Sequence, residues 1–286
     1  VGCRVSVQSS RDSLVRLQGV DVPGDPDRES VNWGWLCDRG RFNFESVNSD
    51  DRLTNPMIKT DGKLVATSWA QALETAARTI RLAVSSRGAD SVAILGGARL
   101  ANEDVRAWAM LADALGINHH DAQLDDGLPA EIFTLPQATV NDAASASTVV
   151  LLGPDLKEEL PVLHLRLRDA ATKRGVRIVE FSPKATGLTR HAWKSIPYEP
   201  GQQVAAVRSA LADAEVSAQF AKGNVVVVLG RANLAESGDF TAQAFNALSA
   251  AVPGLRVLPV LRRGNVRGAL EQGLAPKSGA DARSIL

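Results

Sequence analysis

The sequence predicts an α/β protein built on a doubly wound parallel sheet. Three stretches carry this prediction, because each has a short β-rich run that ends at a glycine and is followed by a segment with helical periodicity. The runs are Ser91–Leu95 before Gly96, Thr148–Leu152 before Gly153, and Asn224–Leu229 before Gly230. Continuous apolar strands that alternate with amphipathic helices are typical of a parallel sheet covered on both faces and joined by right-handed crossovers.

The elements after these runs follow from the same pattern. Helical segments are predicted over about 103–115, from Gly153 to about 174, and from Gly230 to about 251, with further strands over 176–181 and 255–260. Gly116 and Gly175 stand where a helix ends, and a glycine there accepts the left-handed conformation. Lys173 and Arg174 are well placed against the negative end of the second helix.

One more helix is marked by its start. Ser68-Trp69-Ala70-Gln71 fits a capping box, in which the serine hydroxyl and the glutamine amide each satisfy an exposed backbone amide. Apolar residues then recur at helical spacing. They are Ala72, Leu73, Ala76, Ala77 and Ile80.

Composition excludes several classes of function. The 286 residues are 45% hydrophobic and 22% charged, and the 32 basic residues balance the 32 acidic ones. A nucleic-acid or anionic-membrane surface needs a basic excess, so none is expected. No apolar run reaches the roughly 20 residues that cross a bilayer.

The chain has two cysteines, Cys3 and Cys37, separated by 33 residues. Two thiols complete neither a zinc site nor an iron–sulfur cluster, since both need four ligands. Spacing alone therefore favours two unrelated thiols, as in a non-redox α/β binding module.

The surroundings of the cysteines favour another interpretation. Val1-Gly2-Cys3 and Trp35-Leu-Cys37-Asp-Arg39-Gly-Arg-Phe42 resemble the third and fourth ligand segments of a [4Fe-4S] motif of the molybdopterin oxidoreductase superfamily. That motif reads Cys, two residues, Cys, three residues, Cys, then a long gap and a last Cys. The resemblance implies that Cys3 and Cys37 are cluster ligands, that two more precede Val1, and that Arg39 lies between cluster and pterin.

The resemblance extends along most of the chain. Further matching segments are 49–57, 64–73, 149–170, 177–189 and 264–273. They imply a remnant of the [4Fe-4S] domain over residues 1–50 and an incomplete α/β domain over residues 51–286. The implied architecture is the doubly wound type of formate dehydrogenase and DMSO reductase, with a small N-terminal cluster-binding segment.

Two departures argue against molybdenum chemistry. The stretch 118–128, where formate dehydrogenases and nitrate reductases place a metal ligand, has no cysteine or serine. Asp121, Asp125 and Asp126 are candidate oxygen ligands there, but a polar surface loop is the favoured interpretation. His119 and His120 are adjacent, point different ways, and are expected in the same loop after a helix.

The second departure is at the strand end before Pro183. Active members place an aspartate there for the guanosine part of the cofactor, whereas this chain has Ser182, with Glu180 two positions earlier on the same strand face. No Gly-x-Gly-x-x-Gly or P-loop occurs. We expect Gly96, Gly153 and Gly230 to serve tight turns and the crevice to be empty or remodelled.

The amino-acid sequence around Cys37 and over residues 47–54 is most similar to the G-subunit branch of NADH-quinone oxidoreductase (complex I). In that branch the fold persists without molybdenum chemistry. The resemblance implies an iron–sulfur subunit of this respiratory-chain translocase, with a [4Fe-4S] cluster in the full-length polypeptide and no molybdopterin. It also implies peripheral-arm subunits as partners, no nucleic acid, and a peripheral location on the cytoplasmic face of the plasma membrane. The present stretch would be mainly structural and not itself catalytic.

One feature of the sequence departs from this branch, and one alternative function stays open. The gap between the cysteines is long for this branch, and an insertion at Pro23-Gly24-Asp25-Pro26 would absorb it at little cost. The alternative function is a catalytic molybdopterin enzyme of the formate dehydrogenase or nitrate reductase kind.

Overall fold

The computed structural model describes residues 2–22, 31–122, 128–232, 236–261, 263–276 and 279–286. The strands in these ranges are β1 Val5–Ser10, β2 Ser13–Gly19, β3 Met57–Thr60, β4 Lys63–Ala66, β5 Ala93–Leu95, β6 His119–Asp121, β7 Thr148–Leu152, β8 Arg177–Ser182, β9 Lys194–Pro197, β10 Val225–Leu229 and β11 Arg256–Pro259. The helices are α1 Asp38–Phe42, α2 Trp69–Arg87, α3 Asn102–Leu115, α4 Val140–Ala144, α5 Leu156–Glu159, α6 Pro161–Lys173, α7 Gln203–Ala212, α8 Ala214–Phe220, α9 Gly238–Ala251, α10 Val266–Glu271 and α11 Ala282–Ile285.

A parallel sheet in the order β11-β10-β7-β8-β9 confirms the predicted fold class. From β7 the chain winds outwards through β8 to β9, and then returns to place β10 on the other side of β7. The strand order therefore reverses between β7 and β10. In a doubly wound sheet this reversal opens a crevice at the carboxyl ends of the two strands.

Both faces of this sheet are buried, as the valine run of β10 predicts. Val225 and Val227 lie in a core under α7, α8 and α9, where Val207, Phe220 and Phe245 are packed. Val226 and Val228 lie in a second core on the opposite face. There Ala143 of α4, Leu156 of α5 and Leu163 and Leu167 of α6 are packed.

The segment after β7 differs from the single helix predicted. It is broken into α5 and α6 at Leu160, whose φ of −138° and ψ of 65° are not helical. Pro161 follows, and its ring disfavours the helical conformation for the residue before it while suiting the first position of a new helix.

Two helix ends test the capping predictions. Gly116 adopts the left-handed conformation at φ 65° and donates to carbonyls of the last turn of α3, as predicted. At the start of α2 the Ser68 hydroxyl accepts from the Gln71 amide at 3.2 Å. The other half of the capping box is wrong, because the Gln71 side chain instead accepts from the Thr67 hydroxyl at 2.5 Å.

The prediction of a surface loop at His119 and His120 is also wrong. These residues and Asp121 form β6, which pairs in parallel with β5. His120 and Asp121 are buried. Three residues are too few to show strand periodicity, so no local pattern predicts this element. The neighbouring core contains Ile94, Val105, Ile117, Ala269 and Leu274.

Contacts divide the chain into two compact units. One contains residues 1–6, 18–41 and 124–267, and the other contains residues 7–17, 42–123 and 268–286. The boundary near residue 50 stays a prediction. Among the described residues, no helix combines the length and the apolar character that crossing a bilayer requires.

Candidate functional site

Each of the two cysteines lies just before a short element of the fold. Cys3 precedes β1, and the Val20 amide at the end of the β1–β2 hairpin donates to the Arg4 carbonyl at 3.0 Å. Cys37 precedes α1, and its carbonyl accepts from the Arg41 amide at 2.9 Å. Both thiols are free and half-buried.

Asn32 joins the backbones next to the two cysteines. Its Oδ1 accepts from the Arg4 amide at 2.9 Å, and its Nδ2 donates to the Arg4 carbonyl at 3.2 Å and to the Trp35 carbonyl at 2.6 Å. The Asn32 carbonyl also accepts from the Trp35 amide at 2.6 Å. The residue has no exposed surface. Sequence reasoning did not identify it, because its contact with Arg4 spans 28 residues and has no local pattern.

A buried arginine attaches this segment to α6. Arg166 is 1% exposed and donates from Nη1 to the Val31 carbonyl at 2.7 Å and from Nη2 to Asn141 Oδ1. Its guanidinium lies 3.8 Å from the centre of the Trp33 ring, which meets the Trp35 ring edge-on at 5.3 Å. Hydrogen bonds and a cation–π contact therefore fix the backbone of residues 31–35 against the α/β core.

The pKa of the Cys3 thiol is raised by its surroundings. Burial raises the pKa of the Cys3 thiol, and the charge of a Cys37 thiolate raises it further. A thiol whose pKa is raised loses its proton readily only beside a positive charge, and a bound metal ion would supply that charge. Arg39 is exposed on α1, two residues after Cys37.

The donor set of this site fits part of an iron–sulfur ligand shell. Two cysteine sulfurs are two of the four that a [4Fe-4S] cluster needs. In the part of the chain that the structure describes, no group of three or more His, Cys, Asp or Glu side chains is arranged to hold a metal ion.

At the carboxyl ends of β7 and β10, Gly230 is in close contact with Val260. The Gly230 amide donates to the Leu152 carbonyl at 2.8 Å, and the Val260 amide donates to the Leu229 carbonyl at 2.7 Å. A Cβ on Gly230 would lie 2.6 Å from Val260 Cγ2 and 2.7 Å from the Val260 carbonyl oxygen. Val260 is 7% exposed, so the strand-end glycine makes room for this valine.

The acid of β8 is used within the fold. Glu180 is 1% exposed and accepts hydrogen bonds from the hydroxyls of Thr186, Thr189 at 2.7 Å and Ser195 at 3.2 Å. Ser182, two residues on, is buried and lies 3.4 Å from the Lys184 amide. Neither side chain offers a free carboxylate to a guanosine.

Asp121, one candidate metal ligand, has a partner inside the fold. Its Oδ2 accepts from the Ala282 amide at 3.0 Å at the start of α11, while His119 Nδ1 accepts from the Ala280 amide at 2.8 Å. Asp125 and Asp126, the other two candidates, lie outside the described residues, as does the insertion at residues 23–26.

A family model for molybdopterin oxidoreductases matches residues 52–251. The chain belongs to this family. The match covers well over half of the 286 residues and includes the five-stranded sheet as far as β10. The molybdopterin oxidoreductase fold predicted from the resemblance is thereby confirmed.

Two curated relatives carry the name of one component of NADH-quinone oxidoreductase, its G subunit. The protein from Mycobacterium bovis is 33% identical over 96% of this chain and 34% of its own length. The protein of that name from Streptomyces coelicolor is 29% identical over 96% of this chain and 35% of its own length. The chain thus spans about a third of these relatives. The predicted resemblance to the G-subunit branch is confirmed.

A solved structure shows the same fold. The acetylene hydratase of Pelobacter acetylenicus matches 94% of this chain and 40% of its own chain with a TM-score of 0.55 at 14% identity. At that identity the match establishes architecture and carries no argument about chemistry.

Proposed function

We propose that this molybdopterin oxidoreductase chain is part of an iron–sulfur subunit of NADH-quinone oxidoreductase, the respiratory complex I. In this proposal Cys3 and Cys37 supply two of the four thiolates of a [4Fe-4S] cluster, and Arg39 lies beside it. A bound cluster would supply one-electron transfer. The α/β part has a mainly structural role, and the partners are the other subunits of the peripheral arm, at the cytoplasmic face of the plasma membrane.

The single observation that carries the proposal is the set of hydrogen bonds from the Asn32 side chain to Arg4 and Trp35, which we call the Asn32 clamp. Arg4 follows Cys3 directly and Trp35 precedes Cys37 by two residues, and the stretches around the two cysteines are called the cysteine segments. The Asn32 clamp holds the backbone next to Cys3 against the backbone close to Cys37, although 33 residues separate the cysteines. Two incidental thiols need no such arrangement. The relatives from Mycobacterium bovis and Streptomyces coelicolor support the same function at the level of the whole subunit.

We further propose that no molybdopterin is retained. The residues present do not fit a pterin dinucleotide, since Val260 fills the space beside Gly230 and Glu180 is hydrogen-bonded to three hydroxyls. Asp121, which would have to act as the metal ligand of a molybdenum enzyme, accepts from a backbone amide instead.

The test uses the full-length subunit with its upstream segment, made in a host that synthesises molybdopterin. We expect Cys3→Ser and Cys37→Ser each to lower the iron content by about four atoms per chain, the content of one [4Fe-4S] cluster. We also expect neither molybdenum nor tungsten. Stoichiometric molybdenum with formate-dependent or nitrate-dependent turnover would establish the catalytic alternative, and unchanged iron in both variants would exclude the cysteines as ligands.

A further inference from the structure

We propose that Asn32 is a positioning residue, whose side chain sets the separation of the Cys3 and Cys37 thiols. The inference deepens the proposed function, because it names the group that would keep this half of the ligand shell in place. The proposal that Asn32 holds the two thiols close together concerns this chain alone and does not require a bound cluster.

Three hydrogen bonds of the Asn32 amide are directed at the residues next to the two cysteines. One side chain binds both the N–H and the C=O of Arg4, the residue directly after Cys3. The remaining Nδ2 hydrogen reaches the carbonyl of Trp35, two residues before Cys37. An asparagine has two donor hydrogens and an acceptor oxygen on neighbouring atoms, so it can join two backbones that do not pair as strands.

Two further contacts limit the movement of the clamp. The Cα of Gly19 packs against the carbonyl of Gly34, so that any Cβ at position 19 would displace the backbone of residues 34–35. From the other side, Arg166 holds the Val31 carbonyl directly before Asn32. Gly19 and Arg166 thus contact residues that flank Asn32, while the hydrogen bonds to Arg4 come from the Asn32 side chain.

A second asparagine provides a matched control. Asn48 accepts from the Leu14 amide at 3.0 Å and donates to the Leu14 carbonyl at 2.6 Å, so it makes the same reciprocal clamp on one residue. It is exposed, and neither residue adjoins a cysteine. Removing either side chain deletes the same kind of hydrogen bonds, but only Asn32 connects the thiol segments.

The experiment measures thiol pairing in the chain as it stands. Phenylarsine oxide bridges two thiols by forming two As–S bonds and releasing one water, so it binds tightly only where two thiols are held close together. The chain has no cysteines besides Cys3 and Cys37, so the signal reports this pair alone. We expect one equivalent bound by the parent, and an affinity weakened about tenfold or more in Asn32→Ala, as the effective concentration of the second thiol falls.

Asn48→Ala should bind the arsenical like the parent, and Cys37→Ser should give the single-thiol baseline. Gly19→Ala, which separates the segments sterically and leaves Asn32 intact, should weaken binding as well. Circular dichroism confirms that each variant is folded at the assay temperature. The proposal is overturned if folded Asn32→Ala binds with parental affinity, or if the parent itself binds no more tightly than Cys37→Ser.

A second measurement separates this inference from the proposed function. In the full-length subunit, Asn32→Ala should shift the midpoint potential and the electron paramagnetic resonance signal of the Cys3-dependent cluster and speed its loss to a chelator, whereas Asn48→Ala should not. If the arsenical results hold but no iron depends on Cys3 and Cys37, the cluster proposal fails and the positioning role of Asn32 stands. If iron depends on both cysteines and Asn32→Ala changes no signal, the positioning role fails instead.

Discussion

The Thr189 hydroxyl donates a 2.7 Å hydrogen bond to the carboxylate of Glu180, and Thr186 and Ser195 donate to the same carboxylate. Three of its roughly four acceptor positions are therefore filled by hydroxyls of the fold. Glu180 lies on β8, two residues before Ser182. Here it stabilises the loop that leads from β8 to β9.

Replacing this carboxylate should destabilise the α/β unit. In Glu180→Gln one carboxylate oxygen is exchanged for an amide nitrogen that cannot accept, so at least one hydroxyl loses a charged acceptor, at a cost of about 1–3 kcal/mol. Urea unfolding followed by circular dichroism measures the change. Glu158→Gln on α5, at an exposed position, is the control and should be neutral. Equal midpoints for the two variants would contradict the role of Glu180.

The interior of β10 provides a test of the sheet. Val227 has no exposed surface and lies in the core under α7, α8 and α9. Val227→Asp places an unpaired charge there and should lower the free energy of unfolding by about 3 kcal/mol or more. Val65→Asp on β4, where the valine is 49% exposed, should change the unfolding midpoint little. A Val227→Asp protein as stable as the parent would show that β10 is not an interior strand.

His164 should make stability depend on pH. The residue is 6% exposed, its Nδ1 has no hydrogen-bond partner among the residues that the structure describes, and burial lowers its pKa below the ordinary value of 6.5. Positive charges at Arg168, Lys157 and His191 lower this pKa further, whereas the Asp155 carboxylate raises it. The folded protein thus binds a proton less readily than the unfolded chain.

The sign follows from that difference. The contribution of neutral, buried His164 to the free energy of unfolding is complete above the pKa that His164 has in the unfolded chain. It is lost as the pH falls from that value towards the lower pKa in the folded protein, because the unfolded chain takes up the proton first. Between about pH 7.5 and about pH 5.5, the unfolding free energy of the parent should fall, and that of His164→Gln should fall less. Urea titrations across this range give both curves, and parallel curves would rule out His164 as the source.

Asp121 should anchor the segment around α11 and should not bind a metal. In Asp121→Ala the Ala282 amide loses its 3.0 Å acceptor, so residues 279–286 should be cut faster by a nonspecific protease. Asp90→Ala is the control, since the Asp90 side chain is 75% exposed and lies 3.7 Å from His119 Nε2. The metal content of the full-length subunit should be unchanged in both variants. Molybdenum lost only in Asp121→Ala would refute this role.

Sequence and structure agree best where burial alone decides the outcome. The run Val225–Leu229 is apolar at every position, and such a run fits a strand covered on both faces whatever its neighbours are. Gly116 also behaves as predicted, because a helix end that needs a left-handed residue is a local property.

Agreement is lost where the partner is distant in sequence. β6 is a strand because Ile94 pairs with His120, and nothing within residues 119–121 predicts that pairing. The Asn32 clamp depends on Arg4, which a window centred on Asn32 does not include. The roles of Cys3, Cys37 and Arg39 stay predictions from family resemblance, whereas the contacts of Asn32 with Arg4 and Trp35 are visible only in the structure.

The core that contains β5 and β6 is assembled from the two ends of a long stretch of chain. Ile94 and Val105 pack with Ala269 and Leu274, and Gly96 leaves room for the Leu274 side chain. Leu274 follows Ile94 by 180 positions. At a synthesis rate of roughly 5–20 residues per second, the ribosome needs about ten seconds or more to make this interval. Throughout that time the apolar surface of β5 and α3 lacks its packing partners Ala269 and Leu274, so a chaperone that binds exposed apolar segments would act there.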